Sequence, residues 1–128
     1  MGEGVRLWLA LAALNGFLAV AAGAFGAHAV VDPQAKEWLR TGAQYQAIHA
    51  VAALACFGLL RLTVGPAGWA GWLFGFGGLI FAGSLYLMVL TGVKMLGAVT
   101  PIGGVLLLAG WAVLLWGVLA GALVTPAP

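Results

Sequence analysis

Seven side chains able to donate or accept a proton or a hydrogen bond fall at related positions along this chain: His28, Tyr45, Gln46, His49, Ser84, Tyr86 and Thr100. Tyr45 and His49 are four residues apart, and Gln46 and His49 three apart. On a helix, either spacing puts both partners on one stripe. Three chemistries suit such a set. Two imidazoles on neighbouring helices are candidate ligands for haem or a metal ion. Lys36, Arg40 and Lys94, with the positive ends of two helices, suit a lipid headgroup or a small anion. Hydrogen bonding between helices suits every member of the set and is the reading adopted here. Ligation has too few donors, because no carboxylate accompanies the histidines and Cys56 lies two turns beyond His49. No metal site and no cofactor are therefore expected. GxSxG, HExxH and phosphate-binding glycine loops are absent, and no nucleophile–base pair is identifiable, so no catalytic residue and no enzyme are expected.

The composition says what must position these residues. Of 128 residues, 64% are hydrophobic and 6% charged, and the mean hydropathy is +1.13. A soluble domain is about a quarter charged, so this chain cannot build a water-facing surface. A soluble globular domain, a nucleic-acid binder and a disordered tail are excluded. The single cysteine, Cys56, excludes a disulfide scaffold. An integral membrane protein remains.

Eight charged residues cut the chain into four long charge-free intervals, 7–31, 41–60, 62–93 and 95–128. A helix rising about 1.5 Å per residue needs about 20 apolar residues to cross a core of about 30 Å. Each interval holds one crossing and none holds two. Helix is the expected spanning structure, because the intervals lack the alternation of barrel strands. The predicted spans are 7–30, 42–63, 69–92 and 101–124. Gly65-Pro66-Ala67-Gly68 breaks the chain between spans two and three. Thr100-Pro101 reads as a capped start of span four, with Thr100 as the side-chain cap. Asp32-Pro33 gives the same signal for a short helix over 33–41, too charged to cross and suited to the headgroup level. A signal peptide is the rival reading of span one. Its apolar stretch of about 20 residues exceeds the usual h-region of about 7–15, which favours a retained helix. Both termini fall on one side with Arg6 and Arg61, and Lys36, Arg40 and Lys94 on the other; this bias is too small to orient the protein.

Counting along these spans places the polar set in one leaflet, near the face that carries the 33–41 helix, with Asn15 apart in the other leaflet. On that count His49 has partners from several spans, and His49→Ala is expected to destabilise more than Asn15→Ala. The 21 glycines fall often at spacings of four: Gly71 with Gly75, Gly117 with Gly121, and the small-residue runs Ala19-Gly23-Ala27, Ala22-Gly26 and Gly78-Ala82. Such pairs serve close packing within the monomer or an oligomer interface.

Several runs then occur in order: Gly23-Ala24-Phe25-Gly26-Ala27-His28, Tyr45-Gln46-Ala47-Ile48-His49-Ala50, Phe81-Ala82-Gly83-Ser84-Leu85-Tyr86, Thr100-Pro101-Ile102-Gly103-Gly104 and Gly110-Trp111. With these, the whole chain resembles the small four-span proteins of domain-of-unknown-function family four-two-three, the transmembrane protein two-five-six family. The resemblance implies a multi-pass protein of the bacterial inner membrane and implies no activity.

The expectation is thus an all-α integral membrane bundle of four transmembrane helices, one domain over 1–128, with a short interfacial helix between spans one and two. The expected role is structural, interaction or lipid binding, with the polar set as a candidate pocket. A transporter or channel subunit acting as an oligomer is the alternative, and a haem or metal protein using the two histidines the second. Membrane lipids are the expected partners, then a second copy or another membrane protein; nucleic acid is not.

Overall fold

A computed structural model describes residues 2–61 and 65–120. Among them are four long helices: α1 Glu3–His28, α2 Pro33–Arg61, α3 Ala67–Thr91 and α4 Thr100–Leu119. Each is long and apolar enough to cross a bilayer. The expected ends of spans two and four, at 63 and 124, and Gly121 lie outside the described residues. Large apolar side chains such as Phe17, Val20, Trp69 and Leu108 point outward, whereas Asn15, Gln46, His49 and Ser84 are buried. This inside-out distribution suits lipid as the surrounding solvent.

Local signals explain most of the boundaries. Asp32 caps α2, its Oδ2 accepting the Ala35 N–H at 2.9 Å, with Pro33 at the first helical position. Gly92 ends α3 at φ 73° and donates its N–H to Met88 O at 2.9 Å, a conformation that glycine adopts without strain. A short 3-10 segment, Lys94–Ala98, then leads into α4.

Two expectations change here. Residues 33–41 are helical, but they are the first turns of α2 and not a separate interfacial element. Nothing between Arg40 and Gly42 breaks the helix, and a glycine inside a helix costs only about 1 kcal/mol. At 29 residues, α2 is about 43 Å long against a hydrocarbon core of about 30 Å, so its charged first turns project beyond the core. The second change concerns Thr100. It lies inside α4, whose N-cap is Val99 with no side-chain cap, and its hydroxyl bonds Ser84 Oγ instead.

Helix α3 packs against α1, α2 and α4, and α1 also packs against α2. The α1–α3 contact is a row of knobs on a row of small residues. Trp8 lies over Gly71, Leu11 over Gly75 and Asn15 over Gly78. A Cβ on Gly75 would stand 2.6 Å from Leu11 Cδ2, and one on Gly71 would collide with the Trp8 indole. The α3–α4 contact uses glycines of α4 seven residues apart: Gly103 against Phe81, Gly110 against Phe74 and Gly117 against Pro66. Seven residues are close to two turns, so the three glycines share one face. Trp8, Ala12, Ala53, Cys56, Ala67, Ala70, Phe74 and Leu107 form the apolar core, and the Trp8 indole N–H donates to Ala53 O at 3.0 Å. Gly71, Gly75 and Gly117 therefore serve packing within the chain.

These contacts rank the glycines. A Cβ at Gly103 would meet the Phe81 backbone, whereas one at Gly83 has nothing within 4 Å. Backbone cannot rotate away as a side chain can, so Gly103→Ala should lower stability by about 1–3 kcal/mol. Gly83→Ala should be neutral, or stabilising by up to about 1 kcal/mol through helix propensity. Thermal melts of both variants in detergent check the ranking, and equal melting temperatures would refute it.

Candidate functional site

Asn15 lies midway along α1 and is 1% exposed. Its Nδ2 donates to Leu11 O of its own helix at 2.9 Å and to Gly75 O of α3 at 3.0 Å. The second bond needs the α1 side chain to come up against the α3 backbone. Glycine permits this at 75 and at 78, where a Cβ would stand 3.1 Å from Asn15 Oδ1. Asn15 Oδ1 accepts from Gln46 Nε2 of α2 at 3.0 Å, and Gln46 Oε1 accepts from the Tyr86 hydroxyl of α3 at 2.8 Å. Tyr86 reaches Gln46 past Gly42, where a Cβ would lie 2.7 Å from its ring.

The direction of this circuit follows from its end. Carbonyl oxygens only accept, so the Asn15 NH₂ must face Leu11 O and Gly75 O, and its oxygen must face Gln46. Gln46 must then donate to Asn15, which turns its own oxygen to Tyr86 and makes the phenol the donor. The amide orientations rest on this network logic. The circuit leaves α3 at Tyr86, crosses α2 and α1, and returns to α3 at Gly75.

His49 belongs to a second cluster. Trp111 of α4 donates its indole N–H to His49 Nε2 at 3.0 Å, and His49 Nδ1 lies 2.7 Å from Tyr45 O. Indole only donates and carbonyl only accepts, so the ring carries its proton on Nδ1 and accepts at Nε2. Both nitrogens are engaged. The ring also lies tilted against Phe74, centroids 5.5 Å apart, and edge-on to Trp111 at 6.0 Å.

Ser84 and Thr100 make a third cluster. Ser84 Oγ donates to Phe81 O at 2.8 Å and lies 2.6 Å from Thr100 Oγ1. The serine has one proton, which the carbonyl takes, so Thr100 is the donor in the pair. Thr100 opens α4 while Trp111 lies eleven residues on, about 16 Å along the axis. The polar residues thus occupy different depths.

The seven predicted residues are therefore not one pocket. Gln46 and Tyr86 share the circuit with Asn15, His49 pairs with Trp111, and Ser84 with Thr100. The Tyr45 side chain is 47% exposed and stacks on His49 at 6.2 Å from outside. His28 is exposed at the end of α1. Sequence reasoning set Asn15 apart from the polar set, gave Trp111 only as part of the run Gly110-Trp111, and did not single out Trp8. Asn15 carried a usable signal, an amide inside an apolar span, but counting depth from residue 42 put Gln46 too near the membrane surface. The bond between the two amides sets them at one level, midway along α1 and α2 alike. Among the described residues every buried side-chain nitrogen and oxygen has a partner, and no group of three or more histidine, cysteine or acidic side chains comes together.

This geometry reverses the expected ranking of Asn15 and His49. Asn15→Ala removes three bonds, strands Gln46 Nε2 away from water and leaves Gly75 O with its helical bond alone. His49→Ala removes two, one of them local. Measured bonds between transmembrane helices average about 0.6 kcal/mol, so Asn15→Ala should cost roughly 2 kcal/mol and exceed His49→Ala. Tyr86→Phe should cost about 1 kcal/mol by stranding Gln46 Oε1. Melts of the three variants test this; a His49→Ala loss larger than that of Asn15→Ala would contradict it.

The family model described as "Protein of unknown function (DUF423)" matches residues 22–104, a segment that holds Gln46, His49, Ser84, Tyr86 and Thr100. A "UPF0382 membrane protein" of Staphylococcus epidermidis is 43% identical over 114 residues, covering 86% of this chain and 93% of that protein. The "UPF0382 inner membrane protein YgdD" of Escherichia coli K12 is 38% identical over 116 residues, covering 88% of each. No solved structure matches. With four membrane-crossing helices, the chain is a multi-pass protein of the bacterial inner membrane and belongs to the DUF423 family.

Proposed function

We propose that this is a non-catalytic membrane protein, whose interior serves packing and whose outer surface meets lipids or partners. The observation that carries the reading is the closed hydrogen-bond circuit. Tyr86, Gln46 and Asn15 satisfy one another and end on a backbone carbonyl. A ligand or transported ion would need donors or acceptors turned into a cavity, and these are turned onto their neighbours. A transport path has a further obstacle. Between the circuit and the terminus face, the bundle is filled by Trp8, Cys56, Phe74 and small alanines, all buried. Haem or metal ligation would require His49 to release Trp111 or the Tyr45 carbonyl, and His28 is exposed at the end of α1.

Reconstitution into proteoliposomes tests the reading. Flux of protons, potassium and small solutes should match that of protein-free vesicles, and Asn15→Ala should not change it. Flux above that background and lost in Gln46→Leu would overturn the proposal in favour of a transporter. A haem absorption band or stoichiometric metal in the purified protein, lost in His49→Phe, would overturn it in favour of a ligation site.

A further inference from the structure

A cavity of about 350 Å³ lies between the end of α1 and the start of α2, lined by Gly23, Gly26, Ala27, Lys36, Arg40, Ala43 and Gln44. Its shape follows from the sequence. On α1 the wall is small residues, so no side chain fills the space. A Cβ at Gly23 would meet only Ala43 Cβ, at 3.8 Å. On α2 the lining positions 36, 40, 43 and 44 recur every three to four residues and form one stripe. Two cations and an amide therefore face a hollow at the level where α2 leaves the hydrocarbon core. No acidic residue lines it. Glu37 sits beside it, 3.8 Å from Arg40 Nη1, with both side chains more than half exposed; such a pair holds its arginine weakly. Asp32 is engaged in capping the helix. Lys94, on the 3-10 segment, does not line the cavity.

We infer that this cavity binds the phosphodiester of an anionic phospholipid. Lys36 and Arg40 supply the positive charge, and the arginine fork matches two phosphate oxygens. The Gln44 amide, eight residues or about 12 Å below Lys36 along the axis, is placed to donate to an ester carbonyl. The same stripe then turns apolar, with Ile48 and Val51 exposed below Gln44 and Val20 exposed on α1. Phosphate, ester and acyl chain thus meet cation, amide and hydrocarbon in order of depth. A free phosphate would use only the upper part of this track. The inference goes beyond the packing role proposed for the interior and touches none of its residues.

Native mass spectrometry of protein released from bilayers containing phosphatidylglycerol and phosphatidylcholine tests it. The wild type should retain one phosphatidylglycerol. The double substitution Lys36→Gln with Arg40→Gln should cut that occupancy at least tenfold, while Arg61→Gln, at the opposite face, leaves it unchanged. Gly23→Leu keeps both charges but fills the hollow, and should cut occupancy similarly. Thermal melts confirm that each variant is folded, and a variant that is not is replaced by Gly23→Val or by the single charge substitutions. Retention by the double variant would overturn the site. Loss in the double variant with full retention in Gly23→Leu would mean diffuse attraction to a basic surface and would also overturn it. Stabilisation by millimolar glycerol phosphate equal to that by phosphatidylglycerol would make the ligand a soluble phosphate and overturn the lipid assignment. Failure here leaves the flux result untouched, so the two readings fall separately.

Discussion

The approach of helix backbones to one another is the constraint on which this molecule depends. Lipid tails are as apolar as leucine, so burying an apolar side chain between helices gains little over leaving it in the bilayer. What remains is dispersion at short range and hydrogen bonds, and both require closeness. Gly71, Gly75 and Gly78 on α3, and Gly103, Gly110 and Gly117 on α4, provide it by removing the one atom that would hold the helices apart. At four of these glycines the neighbouring helix brings a large apolar side chain, Trp8, Leu11, Phe81 or Phe74, while Gly78 receives Asn15 and Gly117 receives Pro66. The bundle is built of bulky residues seated on bare backbone, with α3 as the common support.

The hydrogen-bond circuit is a consequence of that closeness. A helical carbonyl already accepts one bond from its own helix and retains a lone pair, which is normally screened by side chains. At Gly75 the screen is absent, and Asn15 reaches the oxygen directly. From there each amide must turn a particular way, so one glycine sets the orientation of Asn15, then Gln46, then the Tyr86 hydroxyl. Packing and polarity are therefore coupled. A side chain added at Gly75 would displace Leu11 and break the circuit at its terminus.

The outer surface follows different physics. Phe17, Val20, Ile48 and Leu108 face hydrocarbon and need no partner. Charged residues return at the helix ends, and four of them, Asp32, Lys36, Glu37 and Arg40, cluster where α2 extends past the core. The cap at Asp32 and the length of α2 put those charges beside the glycine-lined end of α1. A helix ending at the membrane boundary would have left them on a loop without a wall to face.

Composition and spacing by themselves determined the bilayer as solvent, the number of crossings, the breaks near Gly65-Pro66 and Asp32-Pro33, and the inward placement of Gln46, His49 and Ser84. Each of these depends on hydropathy summed over many residues, or on a backbone restriction that acts locally. Which polar side chains meet was decided only in three dimensions. On a helix, one residue turns a side chain by about 100° and moves it about 1.5 Å, so small errors in depth counted along separate spans were enough to put Asn15 and Gln46 in different leaflets. Tyr45 and His49 share a stripe, yet the stripe straddles the edge of the bundle, and one ring faces lipid while the other is buried. The glycines were legible as small residues at spacings of four. Their partners were not, because the heptad Gly103, Gly110, Gly117 takes its meaning from Phe81, Phe74 and Pro66 on another helix. A glycine is a vacancy along the sequence, and only the neighbouring helix determines what fills it.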